Sequence, residues 1–186
     1  KKEGYIMNVN ECITTRRSIR KYKPDPVDHS LIESIVSMAS YSPSWKNTQI
    51  TRYIAVDGEK KEQIADSCAE MFANNGVIIK NAPVLMVLTY IKGRSGYERD
   101  GSFTTSKGDR WQMFDAGIAS QSFCLAAYEQ GLGSVILGIF DDAKVASILD
   151  IPENQEVAAL IAVGYPDEEP AAPKRKPVAD LLSFIH

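Results

Sequence analysis

The chain has 186 residues, 44% hydrophobic and 24% charged, with a net charge of −3. A chain of this size can bury a core without metal or disulfide, and its acidic balance suits nucleic acid poorly. His186 is the last residue, so His29 is the one internal imidazole, which argues against a histidine triad or a multi-histidine metal site. Cys12, Cys68 and Cys124 are odd in number and form no CxxC pair, which argues against a disulfide framework or a zinc ribbon and suits a reducing compartment.

No run of about 18 apolar residues occurs, so no transmembrane helix is expected. The stretch Lys1 to Asn10 carries no apolar core of signal-peptide type. A cytoplasmic location is expected, and the start at Lys1 rather than Met leaves an upstream segment as a further expectation.

In chain order, Asn10 to Tyr22 begins as a short helical pattern and turns basic. Asp28 to Ser40 reads as a helix with Leu31, Ile32, Ile35, Val36 and Ala39 on one face, capped by Asp28 or, at capping-box spacing, by Ser30 with Glu33. Tyr53 to Val56 reads as a strand closed by Asp57-Gly58, Glu59 to Phe72 as a helix, and Pro83 to Ile91 as a strand apolar enough to be buried on both faces. A Gly- and Ser-rich loop from Lys92 to Asp109 precedes a long helix from Arg110 to Gln130, with Gly131 as its C′ residue. Strand Ser134 to Ile139, helix Asp142 to Leu149 and strand Glu156 to Val163 follow. No repeat or linker divides the chain, so one domain over 1–186 is expected, with 165–186 as an extended arm. Taken alone, the alternation of strands and helices predicts a doubly wound parallel sheet.

Three constellations could carry chemistry. In Arg16-Arg17-Ser18-Ile19-Arg20, an extended backbone points Arg16, Ser18 and Arg20 to one side, giving two guanidiniums and a hydroxyl suited to an oxyanion. The alternative is a solvated basic turn. In Ser42-Pro43-Ser44-Trp45-Lys46-Asn47-Thr48-Gln49, amides can read the imide edge of a heterocycle and the indole can pack on a planar ring. The alternative is a polar connector with Trp45 as a core anchor. Lys174-Arg175-Lys176, among prolines, reads as a solvated tail, and a three-residue patch is too small a footprint for nucleic acid. Gly131-Leu132-Gly133 invites a dinucleotide reading, but these glycines follow a helix and enter a strand, the reverse of the Rossmann order.

Together, RRSIR, SPSWKNTQ, APVLMVL, FDAGIASQSFCLAAYEQGLGSVILG, IPENQEVAALIAVGYP and PKRKP, in this order from Asn8 to Pro177, resemble the FMN-dependent nitroreductase family. The resemblance implies an α+β fold instead of the doubly wound one: a mixed, mainly antiparallel sheet flanked by helices in three layers, in an intertwined homodimer with FMN at the subunit interface. It implies that Arg16 and Ser18 hold the FMN phosphate, with Arg17 near the ribityl chain and Arg20 near the flavin N1–C2=O edge. Lys174 and Lys176 match late basic positions that close on the phosphate. Pro43, Ser44, Trp45 and Asn47 match a loop that reaches the flavin of the other subunit, and Leu137 and Gly138 match strand-end backbone facing N5 and O4. Some members have Glu where Leu137 stands, so a carboxylate role is absent here. The resemblance also implies an amide-bearing side chain near Ala73 to Asn75; the sequence does not place it, and whether either Asn74 or Asn75 touches the flavin stays open.

The resemblance further implies NADH or NADPH as donor, with ping-pong transfer to nitroaromatics, quinones or similar planar acceptors. No metal, nucleic acid or membrane partner is expected. Catalytic side chains are not needed, because flavin N5 is the reactive centre. Two alternatives stand beside this: an FMN-binding or redox-sensing module without efficient turnover, and a superfamily variant that is flavin-destroying or reductive dehalogenase-like, the latter with the Lys92 to Asp109 loop as a lid where the plainer reading of that loop is a surface excursion.

Overall fold

The computed structural model describes residues 7–186; residues 1–6 of the stretch weighed above for a signal segment lie outside it. Helix α1 (Val9–Thr15) is opened by Asn8, whose side chain accepts from the Glu11 amide. Helix α2 (His29–Ala39) starts at Asp28, which accepts from the Ser30 N–H and hydroxyl, so the first of the two expected caps is the one used. Then come β1 (Thr51–Val56), α3 (Gly58–Met71), α4 (Ala73–Asn81), β2 (Val84–Ile91), α5 (Arg110–Glu129), β3 (Gly133–Leu137), α6 (Asp142–Ile148) and β4 (Gln155–Gly164). Gly131 follows α5 at φ +84°, the left-handed residue expected there.

The sheet has strand order β1-β2-β4-β3, and every pairing between these strands is antiparallel. The doubly wound parallel reading is therefore corrected, and the α+β architecture holds. Two features explain the difference. Two helices, α3 and α4, join β1 to β2; the second carries the chain back, so β2 enters antiparallel. Between β3 and β4, α6 has only seven residues, about 10 Å at 1.5 Å per residue, too short to return the chain along the ten-residue β4.

The central strands separate two helical layers. On one face Leu85, Val87, Leu160 and Ala162 pack with Ile64 and Cys68 of α3, Ile79 of α4 and Val145 of α6. On the other, Val84, Met86, Ile161 and Val163 pack with Ile32 and Ile35 of α2 and Phe123 and Ala127 of α5. Strand β2 is buried from Val84 to Tyr90, as its unbroken apolar run implies. In α4, a Cβ at Gly76 would lie 2.7 Å from Ala65 O and Ala69 Cβ, so glycine sets the close approach of α3 and α4.

All three cysteines are free and buried, and burial pushes the Cys68 thiol up to about 11 and raises those of Cys12 and Cys124. Because the thiolate is the reactive form, a disulfide reagent near neutral pH is expected to titrate almost no thiol in the folded protein and all three after denaturation.

Candidate functional site

The basic segment is fixed from beneath. Ser18 makes an isolated parallel bridge to Ser134 of β3, and the Ile19 amide donates to Ser134 O at 3.0 Å. Ile19 is buried, and the buried Tyr22 hydroxyl donates to the carbonyls of Ile19 and Ala162. With Ile19 turned inward, the extended chain turns Ser18 and Arg20 outward, as alternation requires.

The basic segment meets the late arm here. A cavity of about 280 Å³ is lined by Arg16, Arg17, Ser18 and Arg20 from the one and by Pro170, Ala171, Pro173 and Arg175 from the other. Arg17 Nη1 donates to Thr14 O and Arg16 O, and Arg20 Nη1 to Ser18 O. Glu168 is occupied by the backbone N–H groups of Arg20 and Lys21. Among the described residues, the guanidiniums of Arg16 and Arg175 have no hydrogen-bonded or ionic partner. Several cations around one cavity without a paired carboxylate form an anion receptor. The arm contributes Arg175; Lys174 and Lys176, the expected residues, are exposed and outside the lining.

Gly133 sets the floor of this receptor. A Cβ there would lie 2.7 Å from Ile19 Cγ1 and 2.8 Å from its Cβ. Gly133→Ala is therefore expected to push Ile19, and Ser18 and Arg20 with it, at about 1–3 kcal/mol of stability; a wild-type unfolding midpoint in denaturant would refute this.

At the other end of β3, Leu137 is buried in the core, so only its backbone and that of exposed Gly138 can face a ligand. Buried Asn75 of α4 donates its amide to Ile139 O at 3.0 Å, while Asn74 is exposed. Of the two candidate amides, Asn75 is thus the one that supports the strand end.

The loop 43–49 forms a second group. Lys46, Asn47 and Gln49 are left-handed, at φ +45°, +55° and +49°. Ser44 Oγ accepts from the Gln49 amide at 3.0 Å. The Trp45 amide donates to both oxygens of Asp115, and its ring lies 4.7 Å from that of Trp111. Pro43, Ser44, Gln49, Arg52, Tyr53 and Asp115 are among the residues lining a cavity of about 350 Å³. Burial raises the Tyr53 hydroxyl to about 12, so it stays a neutral donor.

No residue lines both cavities. Their ties to α5 explain why: the loop meets it at Asp115, the basic segment at Tyr128, whose hydroxyl bonds Thr15 Oγ1. That separation is about 20 Å along the helix axis. One chain therefore holds the expected phosphate residues and the expected loop residues apart. The Lys92 to Asp109 loop packs on the 43–49 loop: Ser95 bonds Thr48, and Lys46 pairs with Glu98 at 3.0 Å. It is closed on itself by the Tyr97–Phe103 bridge.

Comparison with known proteins agrees with this frame. The Nitroreductase family matches residues 13–165. The NADPH-flavin oxidoreductase of Vibrio harveyi is 28% identical over 179 residues, covering 91% of this chain and 70% of that protein. The solved FMN-dependent nitroreductase of Clostridium difficile superposes with a TM-score of 0.71 at 30% identity, over 88% of this chain and 90% of the other. A nitroreductase family protein of Streptococcus pneumoniae gives a TM-score of 0.84 at 22% identity, over 96% of this chain and all of the other, a likeness of fold. With the family matched over most of its length on this antiparallel three-layer frame, the chain belongs to the nitroreductase family.

Proposed function

We propose that the protein is an FMN-dependent NAD(P)H oxidoreductase, built as an intertwined homodimer, that reduces planar electron-poor acceptors such as nitroaromatics and quinones in a ping-pong cycle. The observation that carries the reading is the unpaired cationic cavity made by Arg16, Ser18 and Arg175, which fits a phosphate dianion. Bound there, FMN would supply two-electron hydride chemistry between the nicotinamide and the acceptor, with N5 as its reactive atom.

The chain's own residues bind and orient. Arg16, Ser18 and Arg175 hold the phosphate, Lys174 and Lys176 add positive field nearby, and Arg17 stands towards the ribityl chain. Arg20 places a fixed charge beside the flavin's N1–C2=O edge, favouring added electron density there. Backbone at Leu137 and Gly138 faces N5 and O4. Pro43, Ser44, Trp45 and Asn47 complete the site from the second subunit, which the separation of the two cavities along α5 supports. His29 and His186 are exposed and line neither cavity, and solvent can supply the protons.

The homodimer draws support from unpartnered apolar surface. Residues 171–186 are all exposed, Phe184 and Ile185 among them, and so are Met113 and Phe114 on α5. Patches of this kind mark interfaces.

Purified protein reconstituted with FMN should be yellow, bleach with NADH or NADPH, and regain colour with a nitro compound. FMN binding without bleaching by either nicotinamide would support a binding module, and failure to bind FMN would sink both readings. Trp45→Leu is expected to change the ratio of kcat/KM between a nitroaromatic and a quinone more than it changes FMN affinity. Loss of folding or of the dimer would instead make Trp45 an anchor on Trp111.

A further inference from the structure

Helix α5 carries one buried carboxylate that this chemistry does not use. Asp115 is 3% exposed, and no lysine or arginine pairs with it among the described residues. Its oxygens accept from neutral donors: the Trp45 amide at 3.1 Å to each, and Ser95 Oγ at 2.5 Å. Ser95 is itself fully buried and bonds Thr48 Oγ1 at 2.7 Å. Burying a carboxylate without a counter-ion is unfavourable, and two neutral donors offset only part of that.

What the carboxylate holds is a strained segment. Left-handed Lys46, Asn47 and Gln49 adopt a conformation that persists only where the surroundings over-determine it. Bonds inside the turn, Asn47 N to Ser44 O and Thr48 N to Trp45 O, shape it without fixing it to the body. Trp45 and Thr48, on either side of Lys46 and Asn47, are the residues fixed by Asp115 and Ser95. Lys46 and Glu98 join the same two loops on the outside.

From this geometry we propose that Asp115, through the Trp45 amide and Ser95, is a positioning residue that holds Ser44 and Asn47 ready for the flavin and binds the 92–109 loop to them as one unit. The proposal rests on the reading of Ser44 and Asn47 as flavin contacts.

The test compares Asp115→Asn, Ser95→Ala and Asn47→Ala in the full-length protein. Three quantities are read: the FMN dissociation constant by fluorescence, thermal unfolding of the FMN-free protein, and KM and kcat for one nitroaromatic. Asp115→Asn keeps the size but turns one acceptor into a donor facing other donors. It is expected to raise the FMN dissociation constant about tenfold and to raise acceptor KM more than it lowers kcat. Ser95→Ala should show the same pattern more weakly. If Asn47→Ala weakens FMN binding while Asp115→Asn and Ser95→Ala leave affinity and KM alone, the positioning role is overturned and the loop contact stands. If Asn47→Ala leaves FMN affinity unchanged, the loop contact fails and the proposal with it. A lower unfolding temperature with normal FMN affinity in the folded protein would make the network purely structural and overturn the proposal. Should Asp115→Asn fail to fold, Ser95→Ala decides by the same measurements.

Discussion

Arg16→Ala is expected to weaken FMN binding by about 1.5–3 kcal/mol, the scale of a charge-assisted hydrogen bond to a phosphate. The effect should fall on binding and spare the fold. Arg16 leaves α1 with its amide bonded to Cys12 O, a contact that alanine keeps, and its guanidinium has no partner among the described residues to lose. Its charge crowds Arg17, Arg20 and Arg175 around one cavity, so the FMN-free variant should unfold no earlier than wild type. Fluorescence titration of FMN at two ionic strengths checks both parts. Affinity for wild type should fall as salt rises, and the variant should depend on salt less. Arg175→Ala should weaken FMN more than Lys174→Ala or Lys176→Ala, because Arg175 alone of the three lines the cavity. An unchanged dissociation constant for Arg16→Ala would remove it from the phosphate site.

The contrast between Arg175 and its neighbours shows where residue patterns stop being informative. In an extended segment successive side chains face opposite ways, so a basic triplet offers either its middle member or its flanks. Nothing local decides which. In RRSIR the same ambiguity is resolved by Ile19, whose apolar side chain must enter the core and so turns its neighbours outward. Most elements were legible for the same reason: α2, α5 and β2 announce themselves by which residues need burial. Helix α4 was not, because Asn74-Asn75-Gly76 has the look of a turn and Gly76 serves a close approach to α3 visible only in three dimensions. Missing α4 also hid the reversal that makes β1 and β2 antiparallel. Asp115 did leave a signal. It is the single charged residue between Arg110 and Glu129, on a helix otherwise rich in small and apolar side chains. Its partners, Trp45 and Ser95, are far away in sequence and could not be paired with it from the pattern.

Removing residues 178–186 is expected to convert the proposed homodimer to monomer at concentrations where the full chain stays associated, and to release FMN as it does so. This cut keeps every residue that lines the phosphate cavity, so cofactor loss would report the missing second subunit and not damage to the receptor. The deleted segment carries Val178, Leu181, Leu182, Phe184 and Ile185, all more than half exposed in the single chain. A side chain of this size contributes about 1.5–3 kcal/mol when fully buried. Even partial burial of five of them against a partner, repeated on both copies, corresponds to a rise in the dimer dissociation constant on the order of a thousandfold or more. The core should survive, since none of the five belongs to the clusters on either face of the sheet. Sedimentation velocity over a dilution series, with absorbance followed at the protein and flavin bands together, reads both consequences in one experiment. If the shortened protein sediments as a dimer and keeps its flavin under dilution, the arm is not what holds the copies together, and the exposed face of α5 around Met113 and Phe114 must carry the interface alone. If it becomes a monomer yet binds FMN as before, the site is complete within one chain, and the second-subunit role of Ser44, Trp45 and Asn47 falls.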